Sequence, residues 1–172
     1  MDRRSFVHTL TAAGLTLASP LSFSQTAPST APQKQSLVGV DAKGAAINLE
    51  SYAGKIVLVS FFTAACPLCT HDLKLMREFY ERNKTRQFAL LGVNVDARKE
   101  DFMEYAHVVD LSVSAGQRFP MIWRNAPQHA DTFGPIVKQP THFVLDRNLQ
   151  QILKREGTFQ PDDWDMLWTR LG

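Results

Sequence analysis

The chain has 172 residues, 44% of them hydrophobic and 21% charged, with a net charge of +2. That balance fits one soluble globular domain with a real core, and so small a net charge argues for neither nucleic acid nor an anionic membrane surface as a partner. The sequence holds two cysteines, Cys66 and Cys69, two residues apart.

The N-terminus has the layout of a secretory signal. Arg3 and Arg4 precede a mildly apolar run softened by Thr9, Thr11 and Thr16, and Ser22-Phe23-Ser24 offers a small-x-small cleavage pattern. The run is too short and too polar for a membrane span, which needs about 20 mostly apolar residues. "DRRSFVH" is similar to a twin-arginine signal, although Asp2 stands where Ser or Thr is usual. An ordinary Sec signal and an uncleaved anchor are the alternatives. Residues 1–24 are therefore expected to be a signal peptide. Residues 25–35, "QTAPSTAPQKQ", are expected to be a flexible linker, and residues 36–172 a single folded domain. An exported protein works in an oxidising compartment such as the periplasm, where cysteines tend to pair.

Short alternating runs around Gly44 predict a β-hairpin. "IVLVSFF", residues 56–62, predicts a buried strand, and residues 67–83 a helix with Leu73, Met76 and Tyr80 at helical spacing. "FALLGVNV", 88–95, predicts a second buried strand. Asp96 is placed to cap a helix carrying Phe102, Ala106 and Val109 on one face. Residues 112–118 read as a loop, 119–123 as a short strand, and "PQHADTF", 127–133, as a short helix ended by Gly134. "THFVLD", 141–146, is a strand turning into 149–157. A last helix covers about 162–171, with Trp164, Leu167, Trp168 and Leu171 as its apolar stripe. Strands alternating with helices imply an α/β sheet with helices on both faces.

Cys66-Pro67-Leu68-Cys69 lies where the first buried strand gives way to a helix. A zinc site usually needs two such pairs. Haem attachment needs a histidine directly after the second cysteine, and Thr70 stands there before His71. A structural disulfide stays open, but so small a loop contributes only about 2 kcal/mol through chain entropy. A redox pair fits best. Cys66 at the helix N-terminus gains from unpaired N–H groups and the helix dipole. Pro67 suits the first helical position, and Cys69, one turn on, is placed to resolve a mixed disulfide.

"GKIVLVSFFTAACPLC", followed much later by "VKQPTHFVLD", resembles the thioredoxin-like TlpA/ResA group of exported thiol-disulfide oxidoreductases. "LESYAGK", "LLGVNVD" and "TFGPIVKQPT" fall in that family's order. The resemblance implies a thioredoxin fold, a central mixed sheet flanked by helices, with an N-terminal β-hairpin extension and an internal insertion. It implies Cys66 and Cys69 as catalytic residues, with Pro67, Leu68, Gln139 and Pro140 at the substrate-binding surface. Pro140 would be a cis-proline, and Gln139 would meet substrate backbone. Protein thiol or disulfide clients and a membrane thiol-electron transporter are the implied partners. No cofactor, no metal and a monomer are expected.

Three departures stand out. Ala65 replaces the tryptophan many relatives have before the first cysteine. Ser60 replaces the buried aspartate that thioredoxins carry six residues before it, so proton transfer from Cys69 needs water or another group. Residues 110–135 are longer than the usual insertion. His71 and His142 read as a solvated helix residue and a half-buried strand residue. The sharper alternative makes one of them a Cu(I) ligand beside the two thiolates, hence a copper-binding or metallochaperone module. Thr63-x-x-Cys66 also matches part of a peroxiredoxin pattern, but Val59 stands where that pattern has proline.

Overall fold

The computed structural model describes residues 33–172. The expected signal peptide, and the linker as far as residue 32, lie outside the described residues. Residues 33–35, counted with the linker in the sequence, are already tied to the domain. Gln35 N–H donates to the Leu149 carbonyl, Gln151 N–H donates to the Gln33 carbonyl, and Gln35 is buried.

A five-stranded sheet forms the centre, in the order β5-β4-β3-β7-β8. Its strands are β3 (Ile56–Phe62), β4 (Phe88–Asn94), β5 (Met121–Trp123), β7 (Thr141–Leu145) and β8 (Gln151–Glu156). β3, β4 and β5 run parallel, while β7 and β8 are antiparallel to their neighbours. Every residue of β3, β4 and β7 is buried, as their continuous apolar runs predict. A second sheet has the order β2-β1-β6, from β1 (Leu37–Val40), β2 (Ala46–Asn48) and β6 (Ala130–Asp131). The β1–β2 turn is closed by Asp41, whose carboxylate accepts the N–H groups of Lys43 and Ala45. Gly44 supplies the required positive φ of 87°.

The α-helices among the described residues are α1 (Pro67–Asn83), α2 (Lys99–Ser112) and α3 (Pro161–Leu171). Their buried apolar residues all join one cluster, with Ile56, Leu58, Phe62, Phe88 and Leu90 of the central sheet. The alternate residues Val57, Val59, Phe61, Ala89, Leu91 and Val93 face a second cluster. That one is filled by Leu37, Ile47 and Leu49 from the hairpin region and by Phe133, Phe143 and Leu149. The expectation of helices on both faces is thus corrected. β3, β4 and β5 are laid down in one direction, so right-handed crossovers put α1 and α2 on the same side. The hairpin covers the other face.

Two local expectations also fail. Asp96 does not cap α2, whose N-cap is Arg98. Its carboxylate instead accepts the N–H of Ala64 at 2.8 Å and the side-chain amide of Asn94 at 2.7 Å. Residues 127–133 form no helix; they carry β6, which pairs with β1. Side-chain bonds hold this segment extended. Arg124 donates twice to Asp131 at 2.8 Å, His129 Nε2 lies 2.7 Å from the same carboxylate, and Phe133 N–H donates to it.

Burial alone would raise the Asp131 carboxyl. The bonds from His129, Arg124 and Phe133 N–H, with the Arg124 charge, outweigh it and hold the group at about 2. A carboxyl lowered from 3.8 to about 2 contributes about 2 kcal/mol of stability. That contribution is complete above the unfolded-state value near pH 4 and is lost as pH falls towards 2. Asp131→Asn should therefore unfold in urea with about 2 kcal/mol less stability near neutrality. The gap to the parent should close between about pH 4 and pH 2; a gap independent of pH would show that the carboxylate charge is not what matters.

Candidate active site

β3 ends at Phe62, and a short connection leads to Cys66, the N-cap of α1. The Asp96 bond to Ala64 N–H pins this connection. Asp96 is in turn located by two donors to its carbonyl, Trp123 Nε1 at 2.9 Å and Asn125 Nδ2 at 3.0 Å. Cys66 and Cys69 are joined as a disulfide with their Cα atoms 5.2 Å apart. Cys69 N–H donates to Cys66 Sγ at 3.0 Å, so the first turn of α1 points a backbone donor at this sulfur. Cys66 is half-buried, whereas Cys69 is 1% exposed. The sulfur that a large partner reaches is therefore Cys66.

Leu68, between the cysteines, is 56% exposed. The Gln139–Pro140 peptide bond is cis and leads directly into β7. Pro67 is exposed, Gln139 half-buried and Pro140 buried. On the other side of the connection, Ala64, Ala65, Asp96, Asp101, Glu104, Tyr105 and Val108 line an open groove of about 440 Å³.

One turn past Cys69 on α1 begins a polar network that the sequence reading missed in part. Ser60 and His142 face each other across β3 and β7. Both are fully buried, with Ser60 Oγ 3.1 Å from His142 Nδ1. His142 Nε2 lies 3.1 Å from Asp72 Oδ2, which also accepts the Phe159 N–H at 2.9 Å. Asp72 is 1% exposed. The signal for it was present in the sequence: Asp72 is three residues past Cys69 and four before Met76, hence on the apolar face of α1. The half-buried reading of His142 is corrected to complete burial. Its two ring nitrogens are engaged by Ser60 and Asp72, so neither is free for copper, and His71 is exposed on the outer side of α1. Among the described residues no group of three or more His, Cys, Asp or Glu side chains is placed to hold a metal ion.

A mixed sheet with helices packed on it, a cysteine pair opening the helix after the central strand, and a cis-proline starting an adjacent strand define a thioredoxin-fold protein with a CxxC disulfide. The AhpC/TSA family model matches residues 24–152, and the chain belongs to that family. It is 23% identical over 120 residues to the thiol-disulfide oxidoreductase ResA of Bacillus thuringiensis subsp. konkukian, across 70% of this chain and 65% of that protein. It is 30% identical over 128 residues to the chloroplastic peroxiredoxin Q of Oryza sativa subsp. japonica, across 71% of this chain and 56% of that protein. The chain thus spans less than two thirds of the length of these relatives. Among solved structures, a thiol:disulfide interchange protein of the thioredoxin family from Chlorobium tepidum superposes with a TM-score of 0.65 at 23% identity. That superposition covers 82% of this chain and 97% of the other.

Proposed function

We propose that this protein is a thiol-disulfide oxidoreductase acting on protein clients, with Cys66 as the exchanging sulfur and Cys69 as the resolving one. The observation that carries the reading is the asymmetry of the pair: one sulfur is reachable at a helix N-terminus, and its partner is sealed one turn behind it. In reduction of a client, the Cys66 thiolate attacks a client disulfide and forms a mixed disulfide. The Cys69 thiolate then attacks Cys66 Sγ, the Cys66–client bond breaks, and the client leaves with both electrons. Pro67, Leu68, Gln139 and Pro140 make up the client-facing surface in this reading. The exposed Leu68 and Val137 offer apolar contact, and the carboxylates of the groove beside Ala65 suit a basic segment.

The compartment belongs to the same reading. Arg3, Arg4 and the run after them support export to the periplasm. There a membrane thiol transporter would supply electrons to a monomeric domain that reaches back from residue 172 to residue 33, on a linker that starts at residue 25 behind a signal of residues 1–24. No helix among the described residues is long and apolar enough to cross a membrane. Recovery of the full-length chain from the cytoplasm alone, on fractionation of an expressing bacterium, would overturn the export reading.

Membership of the AhpC/TSA family and the likeness to peroxiredoxin Q favour one second reading, a peroxidase at Cys66. The two readings separate in one experiment. Metal-free protein should reduce insulin disulfides at many times the rate of free dithiol and should consume hydrogen peroxide no faster than an ordinary thiol. Rapid peroxide turnover with no disulfide exchange would reverse the assignment.

A further inference from the structure

The Ser60–His142–Asp72 network is costly to bury and touches no solvent. Charged and polar groups withdrawn from water are retained only when paired, yet one atom here is unmatched. Asp72 Oδ2 accepts from His142 and from Phe159 N–H, while Asp72 Oδ1 is buried with no hydrogen-bond partner among the described residues. Cys69, also buried, lies one turn earlier on the same helix. Residues three apart on a helix have Cβ atoms about 5–6 Å apart on one face, a gap that a single water or a rotamer change spans. An unsatisfied carboxylate oxygen and a sealed sulfur therefore lie one turn apart on the buried face of one helix.

We propose that His142 is a positioning residue for the resolving step, holding Asp72 so that its free Oδ1 takes the proton of Cys69. This rests on the disulfide-exchange reading and assigns a residue within it. With its proton on Nε2, the neutral imidazole donates to Asp72 Oδ2, and its bare Nδ1 accepts from the Ser60 hydroxyl. The carboxylate is then fixed by two donors on one oxygen, leaving the other without a partner one turn from Cys69. When the mixed disulfide forms at Cys66, the Cys69 S–H proton passes to Oδ1. The Cys69 thiolate attacks Cys66 Sγ, the Cys66–Cys69 bond forms, and the client thiolate departs and takes a proton from solvent. Run in the opposite direction, the same carboxyl returns its proton to Cys69.

Ser60 suits this role where an aspartate would not. A hydroxyl donates to a bare Nδ1 and, after rotation, accepts from a protonated one. The imidazole therefore has a partner in both of its protonation states. The other groups around it are accounted for. The Phe159 ring meets the imidazole edge-on at 5.5 Å between ring centres. Arg155, opposite His142 on β8, is bound by two hydrogen bonds to Asp163 of α3. Burial raises the Asp163 carboxyl, but hydrogen bonds from Arg155 and Gln160 N–H, and the Arg155 charge, hold it below the usual range. Arg155 and Asp163 thus answer each other, and Asp72 is the carboxylate hydrogen-bonded to His142.

The test separates the two chemical steps. Reduced full-length protein is mixed rapidly with Ellman's disulfide; the first nitrothiobenzoate released reports attack by Cys66, and the second reports closure by Cys69. In the parent the first release should far outpace a free thiol, and its failure would overturn the exchange reading together with this proposal. His142→Leu removes the donor to Asp72 and should slow the second release about tenfold or more, with the first unchanged within about twofold. His142→Gln keeps an N–H donor but cannot ionise. It should therefore restore the rate of closure that the leucine variant loses, to within about threefold of the parent. A second release in His142→Gln slowed about tenfold or more, with the first unchanged, would overturn the proposal, whether or not the leucine variant folds. So would a second release in a folded His142→Leu at the parent's rate.

Discussion

Cys69→Ser accumulates mixed disulfides between Cys66 and client proteins, and Cys66→Ser accumulates almost none: this is the expected result of expressing each variant and separating thiol-trapped extracts under non-reducing conditions. Cys66 is the N-cap of α1, half-buried, with the Cys69 N–H aimed at its sulfur. A thiolate there gains from the helix dipole and from a fixed donor, which lowers a cysteine's pKa and raises the fraction ready to attack. Cys69 is 1% exposed, so a client disulfide cannot reach it, and its only route into the reaction is through Cys66. Steady-state insulin reduction should fall by at least about a thousandfold in either single variant, because residues that act as one unit are not additive. The trapped species then distinguishes their roles. Mixed disulfides in Cys66→Ser but not in Cys69→Ser would reverse the assignment of the two sulfurs.

The parts of this site that lie close together in the chain were legible in the sequence. β3 and α1 follow from a continuous β-branched and aromatic run, a cysteine, a proline and a helical apolar stripe, all within residues 56–83. What escaped was long-range. His142 was placed on the correct strand, but its burial depends on Asp72, 70 residues away, and on Ser60, 82 away. Asp72 was passed over because a lone acid in a helix usually faces water; its place on the stripe between Cys69 and Met76 was the available clue. Asp96 has the residue type of a helix cap, but the Ala64 N–H competes for its carboxylate and wins. Residues 127–133 have turn-like, polar composition, and only pairing with β1, where Leu37 faces Asp131, makes them extended. The choice of sheet face failed for the same reason. Periodicity gives each strand two faces but does not say that the hairpin, rather than a helix, covers one of them.

Phe61→Ala should cost about 3–5 kcal/mol, the range for emptying a buried phenylalanine site, while leaving the chemistry of the cysteine pair in place. Phe61 is fully buried on the hairpin side of β3. Its ring meets Phe133 edge-on at 5.3 Å and Phe143 at 5.6 Å, and those two rings lie 4.8 Å apart. The Arg124 guanidinium sits 5.0 Å from the Phe61 ring centre while its nitrogens hold Asp131. One side chain thus joins the central strand, β7 and the 124–134 segment that supports β6. Removing it leaves a cavity and also loosens the aromatic partners, each pair adding about 0.5–1.5 kcal/mol beyond area alone. Set against a typical domain stability of about 5–15 kcal/mol, the loss should lower the thermal midpoint by roughly 10 °C or more. Phe61→Leu, which keeps most of the apolar volume, should cost about 1–2 kcal/mol. Phe62, by contrast, faces the helical cluster that contains Cys69. Below its own transition the alanine variant should therefore still form mixed disulfides through Cys66 at close to the parent's rate. A midpoint within about 2 °C of the parent would show that the aromatic trio does not bind the insertion to the sheet. The expected fall in midpoint accompanied by loss of Cys66 reactivity below the transition would show instead that the two faces of β3 are coupled.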